Sequence, residues 1–194
     1  MAMKELCMGQ FIFSTTELLE AGGSYYSIRK MVSERKLSRL NKCYYENMHY
    51  SGEPNDFFYL KAFVPDGVVC LLTAAVHHGL STYRPDCIDV AVKNKAKMSS
   101  ANPAVPIKLH YFSMPRLNLG VQKMELDGNS FLVYDVEKTV VDIVSSRNKV
   151  GIEETREILT NYLSRTDRDL NKLCRYADAL SCRTTLQNYL DVLL

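Results

Sequence analysis

FSTTELLEAGGSYYSIRKMVSERKLSRLNKCYY, residues 13–45, holds the local signals around which the rest of the chain is organised. Ser14 and Glu17 have the spacing of a capping box, in which a hydroxyl and a carboxylate satisfy each other's free backbone donors, with Phe13 and Leu18 as the hydrophobic staple. A helix is therefore predicted from Thr15. Gly22 and Gly23 can take the positive φ that ends a helix, and Ser24 supplies the oxygen that caps a second helix from Tyr25. On that helix Ile28, Met31 and Val32 share one stripe, which leaves Tyr26, Ser27, Lys30 and Ser33 outward and Arg29 at the margin. Residues 37–40 and 43–45 read as two short strands turning through Asn41 and Lys42. Two helices and a hairpin form the order of a winged helix-turn-helix, in which the second helix enters the major groove and the wing lies on phosphate.

Charge follows the same segment. Between residues 24 and 45, Arg29, Lys30, Arg35, Lys36, Arg39 and Lys42 stand against Glu34 alone, a net of +5. Clustered cations of this kind are the electrostatic footprint of a nucleic-acid reader, and the plain alternative is a helical subdomain with a solvated basic face. In the DNA-binding reading, Ser24, Tyr25, Tyr26, Ser27 and Lys30 meet the groove or its edge. Arg29, Arg35, Lys36, Arg39 and Lys42 mostly neutralise phosphate.

The chain of 194 residues has room for one large or two small domains, and a hydrophobic content of 46% supports a packed core rather than disorder. The net charge of +2 is divided unevenly, with residues 1–45 at +3 and the remainder at −1, so only the front favours a polyanion. The longest apolar run, 68–76, is too short to span a bilayer, and MAMKELCMGQ at the start lacks a signal-peptide core; a cytoplasmic protein is expected. Cys7, Cys43, Cys70, Cys87, Cys174 and Cys182 are scattered without ligand-like pairing, which predicts that most are small buried hydrophobes rather than parts of a metal site or a disulfide framework.

Residues 3–8 are short enough for one more helix under the pair. The polar segment 46–56, with Gly52 and Pro54, breaks every periodicity and places a domain boundary, giving a first domain at 1–48 and a second at 55–194. In the second, a short helix from Asp56 stops before Pro65, with Asn55 and Asp56 available as caps. GVVCLLTAAVHHGL, residues 67–80, reads as a buried helix closed by Gly79. His77 and His78 are adjacent, so on a helix they point about 100° apart and do not readily chelate one ion. Residues 88–92, 105–112, 121–126 and 130–134 read as strands, the last two joined by a turn at Asp127, Gly128 and Asn129, and 93–106 reads as an exposed loop carrying Lys93, Lys95 and Lys97. Asp135 caps a helix with Val136, Val140, Ile143 and Val144 as its buried stripe, and three amphipathic helices are predicted at 153–164, 167–182 and 184–194. The fold class is α+β: a winged helix-turn-helix, then a larger domain with a sheet of about four strands packed by helices.

Pro85 and Asp86 before one strand, with Asp135, Glu137 and Lys138 after another, loosely match the signature of metal-dependent nucleases. Such sites need converging carboxylates beside a lysine. Here neither carboxylate stands two residues before Lys138, and Asp135 is accounted for as a cap. No GxSxG, phosphate-binding glycine loop or HExxH occurs, so no catalytic residue, metal or cofactor is assigned and an enzyme is not expected.

Taken together, FSTTELLEAGGS…IRKMVSERKLSRL, VVCLLTAAVHHGLS, IDVAV, FLVYDVEKTVVDIV and RYADALSCRTTLQNYLDVLL resemble, in order and spacing, the AbiEi family of abortive-infection toxin–antitoxin systems. The resemblance covers nearly the whole chain. It implies an N-terminal winged helix that represses its own promoter, a C-terminal domain that neutralises a nucleotidyltransferase-like toxin, and a role in phage defence. At the wing, where the family commonly has Arg-Gly-x-Tyr, this chain has Lys42, Cys43, Tyr44 and Tyr45. Cys suits positive φ less than Gly does, which makes the shape of the tip a question for the structure. The competing reading is a protein-interaction module without specific DNA binding, and a third is a nuclease-like or toxin-modifying enzyme.

Overall fold

The computed structural model describes residues 9–94 and 105–193; the helix predicted at 3–8, Cys7, and Lys95 and Lys97 of the predicted loop lie outside the described residues. The protein is α+β, with two sheets of three and five strands among the described residues. It divides into two compact units, Met1–Asp66 with Lys123–Phe131, and Gly67–Gln122 with Leu132–Leu194. Along the chain, the leading segment of the first unit ends at Asp66.

The first unit runs β1 (Ile12–Ser14), α1 (Thr15–Glu20), α2 (Tyr25–Ser33), β2 (Leu37–Arg39), β3 (Tyr44–Asn47), a 3-10 turn (Asp56–Tyr59) and α3 (Leu60–Phe63). Its antiparallel sheet has the order β1-β3-β2, and β1 is a strand that periodicity does not reveal. Both members of the predicted capping box form: the Glu17 amide donates to Ser14 Oγ at 3.1 Å and the Ser14 amide to Glu17 Oε2 at 2.7 Å. Burial alone would raise the Glu17 carboxyl, but Lys61 and the Ser14 amide draw it below its ordinary value. Phe13, Leu18, Ile28, Leu37 and Tyr45 form the core beneath the helix pair. A second, aromatic cluster joins Phe11, Tyr50, Phe58, Tyr59 and Phe131, and the Phe11 amide donates to Asn129 Oδ1 at 2.6 Å.

Helix ends in this unit yield a test with two signs. Gly22, after α1, has φ +86 and no atom within 4 Å of a built Cβ, so the backbone alone requires glycine there. Arg35, after α2, holds the same left-handed conformation at φ 56 despite its side chain, and the Lys36 amide closes the helix onto Met31 O at 2.9 Å. Gly22→Ala is expected to destabilise by about 1 kcal/mol, whereas Arg35→Gly is expected to stabilise by roughly 0.5–1 kcal/mol. Urea midpoints of the two variants moving the same way would refute this account.

The second unit contains β4 (Val68–Val69), α4 (Leu71–His77), β5 (Ile88–Lys93), β6 (Ile107–Phe112), α5 (Met114–Asn118), β7 (Val121–Leu126), β8 (Asn129–Tyr134), α6 (Val136–Ser145), α7 (Arg147–Val150), α8 (Ile152–Leu163), α9 (Leu170–Ala179) and α10 (Arg183–Leu193), the turn end of the β7–β8 hairpin grouping with the first unit. Strand order is β6-β5-β4-β8-β7. Two expectations change here. Residues 67–80 are not one helix: Val68 and Val69 form a strand antiparallel to β5 and parallel to β8, which makes the sheet five strands rather than four. A short apolar run does not distinguish strand from buried helix, and partners far along the chain decide. Gly79 does close the helix, at φ 68, with the Leu80 amide on Ala75 O. The second change concerns α6, predicted to bury one stripe. All residues from 137 to 144 are buried, Lys138 and Asp142 among them, because α4, α8, α9 and α10 pack around it.

Asp135 caps α6 as predicted, accepting from the Lys138 amide at 2.8 Å, whereas α9 begins later than expected and is capped by Asp169. Asp127 and Gly128 both have positive φ, the requirement of a two-residue hairpin turn. Among the described residues no helix is long and apolar enough to cross a membrane.

Candidate functional site

The first unit gathers the residues assigned to DNA on α2 and the β2–β3 hairpin. Ile28 is buried, and Met31 and Val32 pack against the core, which turns the remaining face of α2 outward. Tyr25 and Tyr26 are 67% and 79% exposed, large values for aromatic side chains, and Arg29 and Lys30 are exposed beside them. Arg35, Lys36, Arg39 and Lys42 are exposed as well. Ser24 is exposed and Ser27 half-buried, and their hydroxyls serve the helix end: the Ser27 amide donates to Ser24 Oγ at 3.1 Å, and Ser27 Oγ accepts from the Ser24 amide at 2.8 Å. Serine replaces the usual Glu in this second capping box.

Not all of the positive charge is free. Glu34 holds Lys36 at 2.6 Å and stands 3.8 Å from Lys30, and hydrogen bonding to Lys36 draws its carboxyl below the ordinary value. Arg39 Nε donates to Asn41 O at 3.0 Å, which lays the guanidinium along the hairpin.

The tip of the β2–β3 hairpin is shaped without positive φ at Cys43. Asn41 Oδ1 accepts from the amides of Cys43 and Tyr44 at 2.9 and 3.0 Å, while Asn41 Nδ2 donates to Ala62 O at 2.8 Å. The side chain of Asn41 does what a glycine-type turn would otherwise do by backbone conformation. The strands stop at Arg39 and resume at Tyr44, so Leu40 and Cys43 belong to the turn.

In the second unit, two of the carboxylates weighed as a nuclease signature, Asp135 and Glu137, are held in ion pairs. Lys172 Nζ lies 3.1 Å from Asp135 Oδ2 and 2.9 Å from Glu137 Oε2, and Tyr176 Oη donates to Asp135 Oδ2 at 3.1 Å. Burial opposes the Lys172 charge, but Glu137 and Asp135 hold the group above its ordinary value. Lys138 is fully buried and paired with Asp142, which also receives Arg116 Nε at 3.0 Å. Gly120, at φ +71, lets the chain pass: a Cβ there would lie 2.6 Å from Lys138 Cβ. Asp86 is exposed and has no ion pair among the described residues. No group of three His, Cys, Asp or Glu side chains there is arranged for a metal.

His78 Nε2 lies 2.6 Å from Tyr134 O, so it carries the proton and donates, and burial holds the ring below its ordinary pKa. Cys70 and Cys182 are buried as predicted, Cys87 and Cys174 partly so, and Cys43 is exposed.

A feature without any local signal is a cavity of about 600 Å³ in the second unit, beside β5 and β6. Asp89 on β5 and His110 on β6 meet at 2.7 Å in its wall, and Thr73 Oγ1 lies 2.9 Å from the Asp89 amide. The two strands are parallel, and the pairing of Asp89 with Lys108 and of Ala91 with His110 puts these polar residues on one face.

No family model matches the chain, and no curated protein matches it. Among solved structures, it resembles the crystal structure of the RV2827C protein from Mycobacterium tuberculosis at 16% identity, with a TM-score of 0.55 over 92% of this chain and 72% of that one. This is a likeness of fold.

Proposed function

We propose that the protein is a DNA-binding autorepressor of the antitoxin kind, in which the first unit is a winged helix that grips promoter DNA and the second neutralises a nucleotidyltransferase-like toxin, as the AbiEi resemblance implies. The observation that carries the DNA half is the exposed face of Tyr25, Tyr26, Arg29 and Lys30, presented by a helix whose other side is packed into a core with the following hairpin. The order strand, helix, helix, hairpin, with β1 closing the sheet, supports reading the unit as a winged helix. Tyrosine rings and basic groups on one helix face suit a groove edge bounded by phosphate.

A gel-shift titration with the DNA upstream of the reading frame tests this. If Lys30, at the edge of the groove, and Arg29, Arg39 and Lys42 each neutralise one phosphate, affinity falls with salt at a log–log slope of about −3.6. A flat salt response would refute groove binding and leave the same face to an acidic protein partner. The toxin half is tested by co-expression in a bacterium. A neighbouring nucleotidyltransferase-like protein should arrest growth alone and not with this chain.

A further inference from the structure

We propose that the cavity of the second unit is a binding site for a nucleotide, with the ring against its apolar wall and the phosphate on Lys108 and Lys149. This goes beyond the antitoxin reading and does not depend on DNA binding by the first unit.

The cavity, at about 600 Å³, has the size of small-molecule sites, roughly 300–1,000 Å³. Leu72, Pro85 and Val150 give one part of the wall an apolar character, and Tyr83, 43% exposed, offers a ring face to water that an aromatic ligand would cover. Lys108 and Lys149 also line the space, both exposed and neither ion-paired among the described residues. Two ammoniums without an ion pair among the described residues can hold an anion between them, and phosphate answers with several acceptor oxygens.

Asp89 and His110 supply the hydrogen-bonding edge. The Asp89 carboxylate is buried, with Oδ1 on His110 Nε2 and Oδ2 3.3 Å from Thr73 Oγ1. Nε2 therefore faces Asp89, and Nδ1, with no hydrogen-bond partner among the described residues, is left for a polar atom of a ligand. Asp86, on the wall without an ion pair among the described residues, suits a ribose hydroxyl. Leu71 borders the same space at φ 48, a left-handed conformation in a non-glycine residue, and such strain concentrates at binding sites. A single ligand with a flat ring, a hydroxylated sugar and a phosphate uses all of these groups.

The test is calorimetric titration of the full chain with each of the common nucleoside monophosphates, the matching nucleosides and inorganic phosphate. At least one monophosphate should bind about tenfold more tightly than its nucleoside and than phosphate alone. The double variant Lys108→Ala with Lys149→Ala should weaken that monophosphate about tenfold and leave the nucleoside unchanged, while Tyr83→Ala should weaken both. All three side chains are exposed, and thermal melts would verify that the variants remain folded. Absence of binding by every monophosphate at millimolar concentration would overturn the proposal. So would equal affinity for inorganic phosphate, or affinity indifferent to the lysine substitutions.

Discussion

Asp142→Ala is expected to destabilise the second unit by about 3–5 kcal/mol, the cost of leaving a buried cation without its counter-charge. Asp142 and Lys138 are both fully buried, one turn apart on α6, and Arg116 approaches Asp142 Oδ1 at 2.9 Å from α5. Removing the carboxylate would leave an ammonium and a guanidinium facing each other. The rings of Phe112 and Tyr134, with Lys138 Nζ 4.0 Å from the centre of Tyr134, would be its remaining attraction. Lys138 is fully buried, so water cannot easily compensate, and that burial pushes its pKa below the ordinary value in spite of Asp142.

Replacing both members of such a pair is a different matter. Lys138→Met with Asp142→Leu removes both charges and preserves most of the volume, and Arg116, 27% exposed, can turn to solvent. The double variant is expected within about 2 kcal/mol of the parent. Urea unfolding of the single and double variants decides this. A single-variant loss under about 1 kcal/mol would mean that solvent or relaxation reaches this site.

The second large effect concerns DNA. At about 0.15 M salt, each counterion released from B-DNA adds about 0.7 log unit to affinity, so Lys30→Ala with Arg39→Ala should weaken promoter binding about 30-fold and reduce the salt slope from about −3.6 to about −1.8. Both side chains are exposed, and the Lys30–Glu34 pair at 3.8 Å contributes only a few tenths of a kcal/mol, so the unit should remain folded. Toxin neutralisation, assigned to the other unit, should persist. Unchanged promoter affinity would remove these two residues from the proposed interface and with them most of the argument for the hairpin.

What the sequence disclosed follows the range of the interactions involved. Ser14 with Glu17, Ser24, Gly22, Gly79, Asp135 and the Asp127-Gly128 turn act over a few residues, and the structure contains each of them. The basic face was legible for the same reason, because its charges crowd into two adjacent elements. Strand β4 was not, since two valines become a strand only when β5 and β8 arrive on either side. Lys138 and Asp142 lie outside the apolar stripe that the sequence shows on α6, and only the packing of later helices around it makes them interior. The cavity was the least visible, because Asp89 and His110 are 21 residues apart and meet through parallel strands whose register periodicity does not encode.

The first unit is not a continuous piece of chain, and this bears on how the protein is made. Asn129, which takes up the Phe11 amide, and Phe131, which closes the aromatic cluster on Phe58, are synthesised some seventy residues after Tyr59. As the polypeptide leaves the ribosome, the helix pair and hairpin can form early, yet their aromatic floor stays open until the β7–β8 turn emerges. Completion of the front half therefore waits on translation of much of the back half, and a nascent chain stalled before residue 129 would carry an unfinished front.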